Sequence, residues 1–190
     1  HLGTTHHEVV VTEQEMLDAL PCALQSMETF DTTTVRAGTG MFLLSQWIAK
    51  HSDVRVIFSG EGADELSGSY LYFRMAPSAE AYHNECLRLC KDLHRFDVLR
   101  ADQSTASAGL EVRVPFLDKA FTNFYLHVDP ELRRPRNISG KQIEKYLLRK
   151  SFEDYLPSSV AWRIKEAFSD GVSSKTKSWF EIIQDHVSSL

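Results

Sequence analysis

The stretch Val54-Arg55-Val56-Ile57-Phe58-Ser59-Gly60-Glu61-Gly62-Ala63-Asp64-Glu65 decides how the rest of this chain is read. An apolar, β-branched run passes directly into two glycines, a serine and three carboxylates, which predicts a buried strand over residues 54–58 opening onto a polar pocket. Strand ends of this kind are where α/β proteins place their chemistry. Gly60 and Gly62 let backbone approach a phosphate, Ser59 can bond to it, and Glu61, Asp64 and Glu65 can hold Mg²⁺ or orient cationic partners. A strand followed by an ordinary acidic turn is the plainer alternative, because a glycine-rich loop alone is a weak signal.

Size and charge bound the possibilities. The chain has 190 residues, 43% of them hydrophobic, which is enough for one compact core. A net charge of −5 gives no overall positive field for nucleic acid or an anionic membrane, so neither is expected as a partner. Any phosphate would have to be held by local groups. Cys22, Cys86 and Cys90 form no CxxC or metal-ligand pattern, which favours thiols in a reducing compartment over a disulfide framework. No apolar run approaches membrane-spanning length and no basic-apolar leader opens the chain, so cytosol or nucleus is expected. The chain starts His1-Leu2-Gly3 without an initiator methionine, as a piece of a longer protein would.

Helical patterns dominate the organisation. Residues 9–11, three valines, read as a short strand, and Thr12 with Glu15 as a capping box for a helix marked by Leu17, Leu20, Leu24 and Met27, with Pro21 a candidate kink. Residues 28–39 are polar, threonine-rich and aperiodic, hence a loop, and a helix is expected over 41–50. Tyr82, Cys86, Leu89, Leu93 and Phe96 set a second helical face, and 97–108 another helix. No clear sheet signal returns after that. Helices are expected over 141–152 and 175–187. One strand-bearing end with a helical remainder suggests the edge of an α/β layer.

Three further polar segments invite function. Asp31-Thr32-Thr33-Thr34-Val35-Arg36 offers three hydroxyls and a guanidinium that suit a carboxylate or phosphate, or else a cap at Thr34 and a surface ion pair at Arg36. Within Gly109-Leu110-Glu111-Val112-Arg113-Val114-Pro115-Phe116-Leu117-Asp118, the charges of Glu111, Arg113 and Asp118 suit a structural ion network more than ligands. In Trp162-Arg163-Ile164-Lys165-Glu166-Ala167-Phe168-Ser169-Asp170-Gly171, Trp162, Ile164 and Phe168 can bury while Lys165 presents a point charge to a polyphosphate. The eight histidines show no zinc-like arrangement, and there is no Ser-His-Asp or Cys-His relay pattern.

Taken together, these segments resemble the C-terminal synthetase domain of glutamine-dependent asparagine synthetases. The similarity rests on four motifs in the expected order: Phe30 to Ala37, Ser59 to Glu65, Leu110 to Asp118 and Trp162 to Gly171. It implies an α/β fold, the C-terminal part of an adenine-nucleotide α-hydrolase-like, Rossmann-type layer that is mostly helical with a minor parallel-strand component. On this reading residues 1–190 form one part of the ATP-dependent synthetase domain. The family's glutaminase domain and its Ser-Gly-Gly-Leu-Asp-Ser pyrophosphate loop would precede His1.

The resemblance also implies an activity: asparagine made from aspartate, ATP and glutamine-derived ammonia through β-aspartyl-AMP, with Mg²⁺, in the cytoplasm and in a possible homodimer. Ser59, Gly60 and Glu61 would lie beside the nucleotide and intermediate, Glu61 taking a proton from the attacking ammonia. Asp64 would help position Mg²⁺-pyrophosphate, Lys165 would steady its phosphates, and Thr33, Thr34 and Arg36 would meet the intermediate or leaving group. Two positions depart from the family pattern. Ser67-Gly68-Ser69-Tyr70 stands where Phe-Gly-Gly-Tyr is common, and Ala63 where serine is frequent. Two other readings use the same features: an adenylating ligase of the β-lactam-synthetase type, or a non-catalytic binding remnant.

Overall fold

The computed structural model describes residues 2–166 and 177–189. In chain order the described elements are α1 (Glu13–Met27), α2 (Thr32–His51), β1 (Val56–Phe58), α3 (Ala63–Ser67), α4 (Ala79–Asp92), α5 (Asp97–Ala106), β2 (Glu111–Arg113), α6 (Lys119–His127), α7 (Pro130–Arg133), β3 (Arg136–Ile138), β4 (Lys141–Ile143), α8 (Tyr146–Ser151), α9 (Ser158–Ala161) and α10 (Trp179–Ser188). The protein is thus α/β, mostly helical with a small parallel-strand component, as the sequence implies. Two compact units result. One is built mainly from Ser59–Arg95 and Val114–Lys165, the other from His6–Phe58, Phe96–Arg113 and α10.

The second of these units is a helical core beside the parallel strand pair. Its first helix starts where the capping box places it: the Glu15 N–H donates to the Thr12 hydroxyl at 3.2 Å, and the Glu15 carboxylate accepts from the Thr12 N–H at 2.7 Å. Helix α1 runs through Pro21, which is exposed, and buries Met16, Leu20, Ala23 and Met27. The expected loop over 28–39 is instead largely helix. Asp31 caps α2 by accepting from the Thr34 N–H at 2.8 Å, and the helix then buries Val35, Ala37, Gly38 and Thr39. That face is made of small residues, so it carries no large-apolar periodicity. Its purpose is close approach: a Cβ on Gly38 would stand 2.0 Å from the Met27 sulfur and 3.4 Å from Arg100 Cγ. Met16, Leu20, Met27, Val35, Phe42, Trp179 and Ile182 complete the core.

Strand β1 pairs in parallel with β2, Val56 opposite Glu111, Ile57 opposite Val112 and Phe58 opposite Arg113. The sequence carried no signal for β2, whose Glu111 and Arg113 flank a single valine. The expectation of a buried strand over 54–58 is also corrected: β1 is three residues, and Phe58 is 78% exposed. A parallel strand is covered when neighbours flank it, and among the described residues β1 has one neighbour. The three valines at 9–11 form no strand, since β-propensity without a pairing partner does not make one. Among the described residues the expected ion network is also not formed: Glu111 and Arg113 form an exposed pair, and Asp118 caps α6 by accepting from the Phe121 N–H at 2.9 Å.

The first unit centres on Phe73, Tyr82 and Cys86. Helix α4, capped by Ser78, ends at Asp92 and gives way to a 3-10 turn, Leu93–Arg95, so Phe96 lies beyond the helical face expected of it and is exposed. Residues 141–143, expected to be helical, are the second strand of an antiparallel hairpin, with Arg136 opposite Ile143. Its turn, Ser139-Gly140, has positive φ at both residues (51° and 81°), the geometry of a tight hairpin turn. Helix α8 then starts at Tyr146. Arg133 is fully buried, with Nε donating to the Val128 carbonyl at 2.8 Å and its guanidinium 5.6 Å from the Tyr82 and Tyr125 ring centres.

Candidate active site

The acidic loop is shaped by two glycines that nothing else can replace. Gly62 takes φ 84° at the start of α3, and a Cβ there would stand 2.3 Å from Leu117 Cδ2. Gly68 takes φ 58° at its end, where a Cβ would stand 2.3 Å from the Tyr82 ring. Gly60 differs: its φ is not left-handed, and a Cβ would meet no described atom within 4 Å. Neither packing nor backbone demands glycine there, which leaves room for a ligand's approach. Within the loop, the Glu61 N–H donates to the Ser59 hydroxyl at 3.4 Å and the Ala63 N–H to the Gly60 carbonyl at 3.3 Å.

Asp64, on the first turn of α3, gathers cations from far along the chain. Lys165 Nζ donates to its Oδ2 at 2.7 Å, and Lys145 Nζ pairs with Oδ1. The Ser69 hydroxyl donates to Oδ1 as well. Burial pushes the Asp64 carboxyl upward, but Lys145 above all, then Lys165 and Ser69, outweigh it and hold it at about 2. Next along α3, Glu65 is buried and accepts from the Tyr70 hydroxyl. Its charge adds to the effect of burial in pushing the Cys90 thiol up to about 11.

Two ammonium groups on one carboxylate leave a surplus of positive charge, which suits a phosphate. Lys145 gave no signal in the sequence. It lies in a stretch that reads as a helix, where a lysine is ordinarily a solvated surface residue, yet it sits at φ 54° before α8 with its side chain turned onto Asp64. The hairpin that precedes it brings it there.

The structure therefore brings together Asp64 and Lys165 from the sequence-predicted set and adds Lys145 and Ser69. Ser59 and Glu61 are half-buried on the same loop. Thr33, Thr34 and Arg36 belong to the other unit, at the first turns of α2. There Thr34 gives Asp31 both its N–H and its hydroxyl, the latter at 2.7 Å, and the Arg36 guanidinium lies 5.6 Å from the Phe180 ring centre. Of the residues expected to bury near Lys165, Trp162 is half-buried and Ile164 is exposed, while Phe168 lies outside the described residues along with Ser169, Asp170 and Gly171.

Among the described residues no three His, Cys, Asp or Glu side chains converge as a metal-binding group. Mg²⁺ in nucleotide sites commonly takes one or two carboxylates and fills its shell with phosphate oxygens and water. Asp64 would offer one such carboxylate, and the described residues supply no complete protein cage. No described helix is long and apolar enough to cross a membrane.

Comparison with known proteins identifies the family. The family model described as asparagine synthase matches residues 1–85 and 74–190. The chain is 54% identical over 189 residues to the glutamine-hydrolyzing asparagine synthetase of Gallus gallus, covering 98% of this chain and 33% of that protein. Against the proteins of the same name from Mus musculus and Homo sapiens, identity is 52% and 51% over 189 residues, with the same 98% and 33% coverage. It spans about a third of the length of these relatives. With matches reaching from end to end, this chain belongs to the asparagine synthase family.

Proposed function

We propose that the protein containing this chain makes asparagine, transferring the adenylyl group of ATP to the aspartate side-chain carboxylate with release of pyrophosphate and then letting ammonia displace AMP. The observation that carries the reading is Asp64 held between Lys145 and Lys165, a local cationic centre on a chain whose net charge is −5. Adenylation must hold two anions together while negative charge builds on the leaving pyrophosphate. Lys145 and Lys165 would meet that charge as fixed donors, and Asp64 would keep both side chains extended toward it. Mg²⁺, held by Asp64 and the phosphates, would neutralise part of the same charge. Ser59 and Gly60 would lie along the nucleotide, and Glu61 would accept a proton from the attacking ammonia. Thr33, Thr34 and Arg36 are assigned to the intermediate or leaving group.

The chain's share of its relatives' length supports residues 1–190 being one part of a synthetase domain, completed by a pyrophosphate loop and a glutaminase domain that delivers ammonia. The free cysteines support a reducing cytoplasm. Incubated with ATP, Mg²⁺, aspartate and glutamine, the complete protein releases AMP, pyrophosphate and asparagine in equal amounts. ADP as the product overturns adenylation. A bulkier carboxylated amino acid consumed in preference to aspartate would point instead to a β-lactam-forming relative. On this reading residues 1–190 purified alone would form no AMP, since further donors for the leaving group would come from the rest of the synthetase domain.

A further inference from the structure

The lysines that meet on Asp64 come from different segments, the turn before α8 and the stretch after α9, and one guanidinium ties both segments down. Arg149 Nε donates to the Glu144 carbonyl at 2.9 Å and Nη2 to the Glu144 carboxylate at 2.5 Å. Its Nη1 donates to the Ala161 carbonyl at 2.6 Å. Glu144 immediately precedes Lys145, and Ala161 ends α9 four residues before Lys165. Arg149 itself sits one helical turn beyond Lys145, its N–H donating to the Lys145 carbonyl at 2.9 Å.

The clamp has its own anchor. Glu144 is 4% exposed, and its second oxygen meets Arg74 at 3.4 Å, on the 3-10 turn Leu71–Met75 that follows the acidic loop. Glu144 and Arg149 thus join the segments that carry Lys145 and Lys165, and Arg74 ties them to the turn that follows the Asp64 loop. Lys145 holds a left-handed backbone without being glycine, a conformation that persists only when its surroundings over-determine it. Arg149 supplies that restraint on both sides of the residue.

We propose that Arg149 is a positioning residue that sets the spacing of Lys145 and Lys165, and so the affinity of this site for pyrophosphate. The proposal rests on the reading of those lysines as a phosphate site. A guanidinium is required because its planar fork reaches three acceptors in three directions at once; a lysine would keep the charge and lose the bridge. Misplacing either ammonium by about 1 Å is enough to lower activity roughly 100-fold in well-ordered sites.

The test uses the complete protein carrying Arg149→Lys, with Lys145→Met and Lys165→Met as references. Product inhibition by pyrophosphate weakens roughly 10- to 100-fold in Arg149→Lys, the size seen when groups supporting a ligand shell are removed, while glutamine hydrolysis keeps its wild-type KM. Hydrogen exchange quickens together in peptides covering residues 143–147 and 161–166. Wild-type pyrophosphate inhibition in Arg149→Lys, beside weakened inhibition in both references, overturns the positioning role and leaves the phosphate site standing. Unchanged inhibition in both references overturns the phosphate site itself. Wild-type exchange in either segment, or in both, overturns the clamp whatever the lysines do. Should Arg149→Lys fail to fold, Glu144→Gln removes the carboxylate that orients Nη2 while keeping the backbone acceptors, and the same readouts move in the same direction.

Discussion

The two units of this chain are held by different physics. Around α1 and α2 the core is made of Met16, Leu20, Met27, Val35, Phe42, Trp179 and Ile182, large side chains packed where Gly38 lets helices come close. Around the acidic loop the buried apolar cluster among the described residues is smaller, Phe73, Tyr82 and Cys86, and contacts between distant segments include charged groups: Asp64 with Lys145 and Lys165, Glu144 with Arg74, and Arg133 with His83. Apolar packing is non-directional and tolerates repacking, whereas a clamp fixes a side chain at one place. The second kind of order suits the ligand-presenting part proposed for this unit.

Substitutions in the two units should therefore separate stability from activity. The largest effect is expected at Trp179, 1% exposed: Trp179→Ala should cost about 3–5 kcal/mol in denaturant unfolding of the complete protein. A loss no greater than that of an exposed residue would break the account of the packed unit. In the clamped unit, Glu61→Gln should lower kcat for synthesis roughly 100-fold with little change in unfolding midpoint. Near-normal synthesis by this variant, measured beside its melting curve, would remove Glu61 from the reaction.

The clamps also carry an acid signature. Asp64 sits at about 2, below its ordinary 3.8, so its ion pairs contribute stability that is complete above about pH 4 and is lost as pH falls toward 2. Asp64→Asn should flatten that part of the acid-unfolding curve, whereas a curve identical to wild type would mean the pairs do not contribute. The smallest effect belongs to Ser69. Its hydroxyl donates to Asp64, and Ser69→Gly should cost about 1 kcal/mol without abolishing synthesis. Loss of synthesis would make that hydroxyl a functional group and not a support.

How far the sequence carried the reading follows the same division. Thr12 and Glu15 announced α1, and the acidic loop announced itself through Gly60, Gly62 and Asp64, because caps and glycine turns are local chemistry. The first half of α2 was hidden, since Ala37, Gly38 and Thr39 bury a face without large apolar residues. Strand β2 was hidden because Glu111 and Arg113 surround one valine, and its partner lies more than fifty residues away. Lys145 was hidden for a related reason. Its role depends on a hairpin turn at Ser139-Gly140 and on Arg149, and neither marks a lysine as different from any other in a helical-looking stretch.

The most direct test of the central claim is aspartate-dependent exchange of pyrophosphate into ATP by the complete protein with Lys165→Ala. Glutamine hydrolysis in the same preparation reports whether the protein is intact. The account predicts that exchange falls roughly 100-fold or more while glutamine hydrolysis stays at the wild-type rate. Exchange at the wild-type rate would contradict it.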